Sequence, residues 1–158
     1  MIATPVNITD SDADNAGGEF ETHQTSRFGE IQVLADSIVE FPDGLIGVGG
    51  SRYALLRTDQ TSPFVWLQSL TEPGLALPVT NPHRFVDDFK VELSDEEGEH
   101  LGFAEGEPAE VFVTVTATSV LADFTINTKA PILIRDRRGY QVLNQAAGTA
   151  VKTPLFPA

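Results

Sequence analysis

The sequence predicts an all-β, mainly antiparallel domain: a small β-barrel-like or sandwich fold with at most one short helix. Three observations point there. Turn signals built from proline, glycine, asparagine and aspartate recur at roughly ten-residue spacing, the rhythm of sandwiches and barrels rather than of βαβ units. The runs between them are rich in Val, Ile, Phe, Leu and Thr, and several alternate apolar with polar residues. A helix-start signature stands at Ser94 and is the one helical signal in the chain.

Residues 1–26 carry Asp10, Asp12, Asp14, Glu19 and Glu21, no Lys or Arg, and a Gly17-Gly18 pair. With few large apolar groups to offset the entropy of ordering, a disordered acidic tail is expected over 1–26 and a single β domain over 27–158. In "FGEIQVLADSIVEFPDGLIG", Ile31 and Val33 stand two apart, followed by Ile38 and by Phe41 before the turn Pro42-Asp43-Gly44. Short half-buried strands bounded by turns have this pattern. "YALLR" at 53–57 and "FVWLQSL" at 64–70 are expected as neighbouring strands. "LALPVT" follows Glu72-Pro73-Gly74, and Pro78 predicts an edge or bulged position because proline lacks the ladder donor. Over residues 85–93, Phe85, Phe89, Val91 and Leu93 alternate with Asp88, Lys90 and Glu92, which predicts a strand with one wet face.

Ser94 with Glu97 three residues later matches a capping box, and Asp95, Glu96 and Glu97 suit the positive end of a helix dipole. Gly98 and Gly102 limit that helix to a turn or two. "AEVFVTVTAT" at 109–118 sets Val111, Val113 and Val115 on one face and Phe112, Thr114 and Thr116 on the other, predicting a central strand. "TINTKAPILIRDRRGYQVLN" at 125–144 predicts a hairpin broken at Pro131, with Arg135, Arg137 and Arg138 keeping the turn soluble and blunting an edge strand. "KTPLFPA" is too proline-rich to extend a sheet and predicts a frayed end.

The 158 residues suit one domain with a core that needs no staple. Ten Lys and Arg against 23 Asp and Glu give a formal charge of -13, a field that repels phosphate backbones and attracts basic proteins. Direct nucleic-acid binding is therefore not expected. The absence of cysteine removes disulfide, thiolate and zinc-ribbon chemistry. No apolar run approaches the ~18 residues of a membrane span, and the N-terminus lacks the pattern of a secretion signal, so a cytoplasmic protein is expected.

Catalytic signals are weak. His23, His83 and His100 show no HxH or HExxH spacing, and the acidic runs lack the alternating oxygen ligands of an EF-hand, so no metal or cofactor is expected. There is no GxSxG, and the glycines before Ser51 lack the ending of a phosphate loop. The enzyme alternative is a carboxylate pair for glycoside cleavage, whose test is spatial separation.

Several stretches, in order, resemble the FliW family of flagellar assembly factors. They are "FGEI" at 28–31, "FPDGLIG" at 41–47, "WLQS" at 66–69, "LALPV" at 75–79, "NP" at 81–82 and "TINTKAPILIRD" at 125–136, followed by Gln141-Val142-Leu143. Where the family typically has a Gly-Leu-Pro-Gly-Phe turn, this chain has Ile46 in place of the proline and Val48 in place of the aromatic, and Thr128 stands in place of a leucine. The resemblance implies a small, non-enzymatic β-barrel-like protein of the cytoplasm. It implies two partners: flagellin, and in its absence the translational repressor CsrA, whose repression of the flagellin message is relieved. A flagellin-binding export chaperone without CsrA antagonism is the alternative.

Carried over by matching position, the partner-binding candidates are Phe28, Gly29, Phe41, Gly44, Trp66, Gln68, Asn127 and Pro131. Their structural alternatives stand beside them. Trp66 shares a face with Phe64 and Gln68 and suits a core; Gln68 on that face needs a partner or an exposed rim. Phe41 with Gly44 suits a turn, and Asn127 suits a bulge before Pro131. Asp95, Glu96, Glu97 and Glu99 are candidates for steering a basic partner.

Overall fold

The computed structural model describes residues 20–46, 50–57, 61–101 and 109–155, together with the backbone of 4–5. In chain order its elements are β1 (Thr4–Pro5), β2 (Phe20–Thr25), β3 (Gly29–Leu34), β4 (Val39–Glu40), β5 (Arg52–Arg57), β6 (Phe64–Ser69) and β7 (Ala76–Thr80). There follow α1 (Asp95–Leu101), β8 (Glu110–Thr116), β9 (Thr125–Ile126), β10 (Ile132–Arg135), β11 (Arg138–Gln141) and β12 (Thr153–Pro154).

Seven strands close into a barrel in the order β4-β5-β6-β7-β8-β10-β11, with β11 returning to β4. Every neighbouring pair is antiparallel except that last seam, which is parallel and is made at Arg138 opposite Glu40. Closure leaves these strands no long free edge. Tyr53 and Leu55, Val65 and Leu67, Val79, and Ile132 and Ile134 pack with Val39, Phe41 and Leu45 as the barrel core.

The outward faces are also apolar, and each is sealed by a different segment. Ala54 and Leu56 lie beneath Phe28, Ile31 and Val33 of the β2–β3 hairpin. Val113 and Val115 lie against Phe89 and Leu155. Leu133 and Val142 are covered by Leu101 of α1. Two buried faces explain why "YALLR" reads as a nearly unbroken apolar run instead of an alternating one. In the seven-strand ring β5–β6 and β10–β11 stand across from each other, so the hairpin and α1 cover opposite sides of the barrel.

The all-β class, the single short helix and the central position of β8 agree with the sequence reading; β8 pairs with β7, β9 and β10. Five local expectations need correction. Residues 85–93 form no strand, although Phe85, Phe89, Val91 and Leu93 do turn toward the outer cores. Their backbone bonds instead to one side chain and its neighbour: the Glu92 N–H donates to Asn144 Oδ1 at 2.9 Å, and Asn144 Nδ2 donates to the Lys90 carbonyl at 2.9 Å. Next, β7 has neighbours on both sides and is no edge. Pro78 is tolerated because the β8 register begins at Val79, leaving Pro78 paired to Trp66 of β6 alone.

The third correction concerns the arginine turn. β11 is sealed against β4, and Arg137 reaches across the seam, donating from Nη2 to the Ala35 carbonyl at 3.0 Å and from Nε to the Ile38 carbonyl at 3.3 Å. Fourth, the C-terminal "KTPLFPA" does extend a sheet as far as β12, which pairs with β9, and Leu155 is only 2% exposed. Fifth, residues 20–25 do not belong to a disordered tail, since Phe20–Thr25 pair in full register with β3. Polar β2 carries no apolar alternation; the buried Ile31 and Val33 of its partner hold it in place. Thr4 and Pro5 pair with Arg57 and Leu56, and the rest of residues 1–19 lies outside the described residues.

Candidate functional site

Four of the sequence candidates meet at the tip of the β2–β3 hairpin. Gly29 has φ +70°, the left-handed conformation that lets the turn close, and Thr25 Oγ1 accepts the Phe28 N–H at 2.9 Å while donating to the Gly29 carbonyl at 2.8 Å. This seats Phe28 edge-on to Trp66, with ring centroids 5.8 Å apart. Trp66 is half-buried outside the barrel, and the exposed Arg27 guanidinium lies 4.3 Å above its indole ring. Gln68, two residues along the same face, is fully buried. Its Nε2 contacts the carbonyls of Ser69, Leu75 and Pro73 at 2.9, 3.1 and 3.3 Å, stitching the β6–β7 turn, while Oε1 has no partner among the described residues. Trp66, Arg27 and Gly29 thus face solvent here, and Phe28 and Gln68 support them.

Phe41 and Gly44 lie in a second region. Phe41 is buried in the barrel, edge-on to Tyr53 at 5.3 Å, and Gly44, at φ +71°, donates its N–H back to the Phe41 carbonyl at 3.0 Å. The turn they shape projects Asp43, whose Oδ2 is 2.6 Å from His100 Nε2 at the end of α1. The next residue outward, Ile46, donates its N–H to Gln141 Oε1 at 2.7 Å.

At the start of α1, Ser94 Oγ accepts the Glu97 N–H at 3.2 Å, the first half of a capping box. Glu97 does not return the bond; its Oε2 accepts the Leu143 N–H at 3.3 Å instead. Asp95, Glu96 and Glu99 face solvent. One acidic surface therefore combines α1, the Gly44 turn and the chain at 141–143. Asn127 and Pro131 belong to neither surface centre: Asn127 Oδ1 accepts the N–H groups of Lys129 and Ala130 at 3.0 Å each, and the buried Pro131 accepts the Val142 N–H.

Sequence reasoning passed over Asn144, Gln141, Arg27 and the Asp43–His100 contact. Asn144 is fully buried and satisfied on both ends of its amide, accepting from Glu92 and Ala146 and donating to Lys90 and Thr128. Nothing local in "QVLN" signals this, because every partner is distant in sequence or set by a loop.

Charge perturbations are few. The Glu21 carboxyl is held below its ordinary range by hydrogen bonds from His23 and then Arg52, and burial holds that of Glu110 above it. Burial, with the Glu72 charge second, pushes the Tyr53 hydroxyl up. Among the described residues no group of three or more His, Asp or Glu side chains is placed to hold a metal ion. A cleft of about 340 Å³ opens between residues 86–90 and 146–149, walled by Thr128 and Thr153, whose hydroxyls bond to each other at 2.9 Å.

Over residues 22–155 the sequence matches the family model described as FliW protein. The chain belongs to the FliW family. It is 34% identical over 134 residues to the flagellar assembly factor FliW of Geobacter sulfurreducens, covering 84% of each chain. To the flagellar assembly factor FliW of Natranaerobius thermophilus it is 36% identical over 133 residues, covering 82% of this chain and 88% of the relative. A crystal structure of the flagellar assembly factor FliW matches with a TM-score of 0.77 at 28% identity, covering 87% of this chain and 99% of that one. The FliW match opens inside β2 and closes at the buried Leu155, so family region and packed region coincide. The relatives and the matching structure are named as flagellar assembly factors.

Proposed function

We propose that this FliW-family chain is a non-enzymatic regulator of flagellum assembly that works in the cytoplasm. It binds flagellin and, when free of it, binds and antagonises the translational repressor CsrA, relieving repression of the flagellin message. The family match across residues 22–155 carries this reading. Electrostatics supports it: a repressor that binds RNA presents positive surface, and a protein of charge -13 is steered toward such a surface and adds negative potential beside it. Trp66 beneath Arg27 supports a protein-contact role on the hairpin side, since Trp and Arg dominate interface hot spots and truncating one costs about 2 kcal/mol or more.

The test is calorimetric titration of the chain into CsrA from the same organism, with a parallel run after saturation by flagellin. Heat with CsrA that disappears after flagellin loading is the expected result. Heat with flagellin and none with CsrA leaves the export-chaperone function, and silence with both partners overturns the proposal.

A further inference from the structure

We propose that the cleft between residues 86–90 and 146–149 is a binding site for a small organic anion, a carboxylate carried on a compact apolar body. It shares no lining residue with the Trp66 or Gly44 surfaces. Charge placement is the first reason. A chain of formal charge -13 has three lysines, and all of them stand at this cleft: Lys90 lines it, Lys129 follows the lining residue Thr128, and Lys152 precedes the lining residue Thr153. Asp88 is the one acid among the described lining residues.

The hydroxyls and amides suit the same ligand. Thr128 is 3% exposed, and its Oγ1 accepts the Ala150 N–H at 3.0 Å while lying 3.2 Å from the Ala150 carbonyl and 2.9 Å from Thr153 Oγ1. When Thr128 donates to Thr153, the Thr153 proton is free to donate to a ligand, and both oxygens remain bonded. The turn at 146–149 adds backbone donors. Gly148 sits at φ +82°, and among the described residues nothing accepts the N–H of Ala147 or of Gly148. Successive N–H groups in a turn with a left-handed residue form the concavities that hold oxyanions.

Volume and lining set the body of the ligand. Val86, the buried Phe89 and the buried Ala146 give the cleft an apolar wall, and its volume of about 340 Å³ lies at the lower end of ligand pockets, which run from about 300 to 1,000 Å³. That room suits a molecule of amino-acid size. The cleft is also held open in advance by Asn144. Its Nδ2 donates to the carbonyls of Lys90 and Thr128 at 2.9 and 3.3 Å, its Oδ1 accepts the Ala146 N–H at 3.0 Å, and its carbonyl accepts Lys129 Nζ at 2.9 Å. One buried residue so joins both walls to the floor, and little ordering is left to oppose binding.

The experiment follows backbone amide NMR shifts of the full chain at neutral pH and fixed ionic strength. Three probes are titrated: N-acetylleucine, its uncharged amide, and inorganic phosphate. N-acetylleucine is expected to shift Gly148, Thr149 and Thr153 along one saturable curve, with the amide about tenfold weaker or more and phosphate, which has charge but no apolar body, several-fold weaker. Lys90→Gln with Lys152→Gln should weaken N-acetylleucine by about tenfold, and Asp88→Asn should strengthen it several-fold. Arg27→Gln with Arg138→Gln makes the same change in net charge outside the cleft and should alter binding by less than about twofold. All the altered side chains are exposed, and unchanged urea midpoints verify folding. Equal binding of the acid and its amide overturns the anion seat, as do equal losses in the two double variants. Phosphate binding tighter than N-acetylleucine overturns the apolar body, and no saturable shift at these amides with any probe overturns the site outright.

Discussion

Gly139 shows how one missing side chain shapes the barrel. Its backbone presses against Phe41 so closely that a Cβ placed there would stand 2.4 Å from the ring, and Phe41 is itself enclosed by the barrel core. Gly139→Ala is expected to destabilise by about 3 kcal/mol, the upper end for overpacking, and Phe41→Leu in the same chain should recover part of the loss in urea unfolding. Glu110, opposite Ile134 in the β8–β10 ladder, carries a carboxyl whose burial favours the protonated form. A folded-state pKa above the ordinary 4.5 means that its stabilising contribution is complete below that value and is lost as pH rises through the folded-state pKa. Glu110→Gln should therefore raise the thermal midpoint at neutral pH and leave it unchanged in strong acid, which a series of melts across pH will show.

At the scale of elements, the β10–β11 hairpin and the C-terminal segment are joined to the barrel by devices of opposite kind. The hairpin turns on Asp136 and Arg137, both at positive φ (52° and 67°) without a glycine, a strained form of the two-residue turn that suits strand twist. Arg137 remains there because its guanidinium holds the carbonyls of Ala35 and Ile38 and its own carbonyl accepts the Glu40 N–H at 2.8 Å, fastening the parallel seam. Arg137→Ala loses the side-chain bonds and keeps the strain; Arg137→Gly loses the same bonds and relieves it. The glycine variant should be the more stable of the two by about 1 kcal/mol in chemical denaturation. The C-terminal segment relies on apolar burial instead. Leu155 fills the outer core with Phe89, Val113 and Ile126, and Leu155→Ala should cost about 2–4 kcal/mol and release hydrogen-exchange protection in β9 and β12.

For the molecule as a whole, charge and architecture act at different ranges. A formal charge of -13 reaches a partner before any contact forms and is screened over about 10 Å at 0.1 M salt. Association with a basic partner should therefore slow by about tenfold or more between low and high salt, while dissociation changes much less. Stopped-flow measurements of both rates will separate the two. Comparable changes in both rates would assign the salt effect to short-range ion pairs. The barrel places α1 and the β2–β3 hairpin on opposite sides, each covering its own stretch of apolar strand surface.

Periodicity and turn chemistry, both local, were enough to determine the all-β class, the pairing of "YALLR" with "FVWLQSL", the single helix at Ser94 and the central strand at 109–118. The ordered family stretches were local too, and they marked Trp66 and Gly44 as candidates without locating what surrounds them. Tertiary structure decided the rest because the deciding partners are far apart along the chain. Residues 85–93 have the alternation of a strand, but they meet the amide of Asn144 and no neighbouring strand. Polar β2 pairs because Ile31 and Val33 across from it are buried, and proline-rich β12 is held by Leu155. Gln68 found its partners in a turn beneath the hairpin, whereas Ile46 and Leu143 were left exposed. A sequence records which groups need burial or a bond; closure of the barrel settles which groups obtain them.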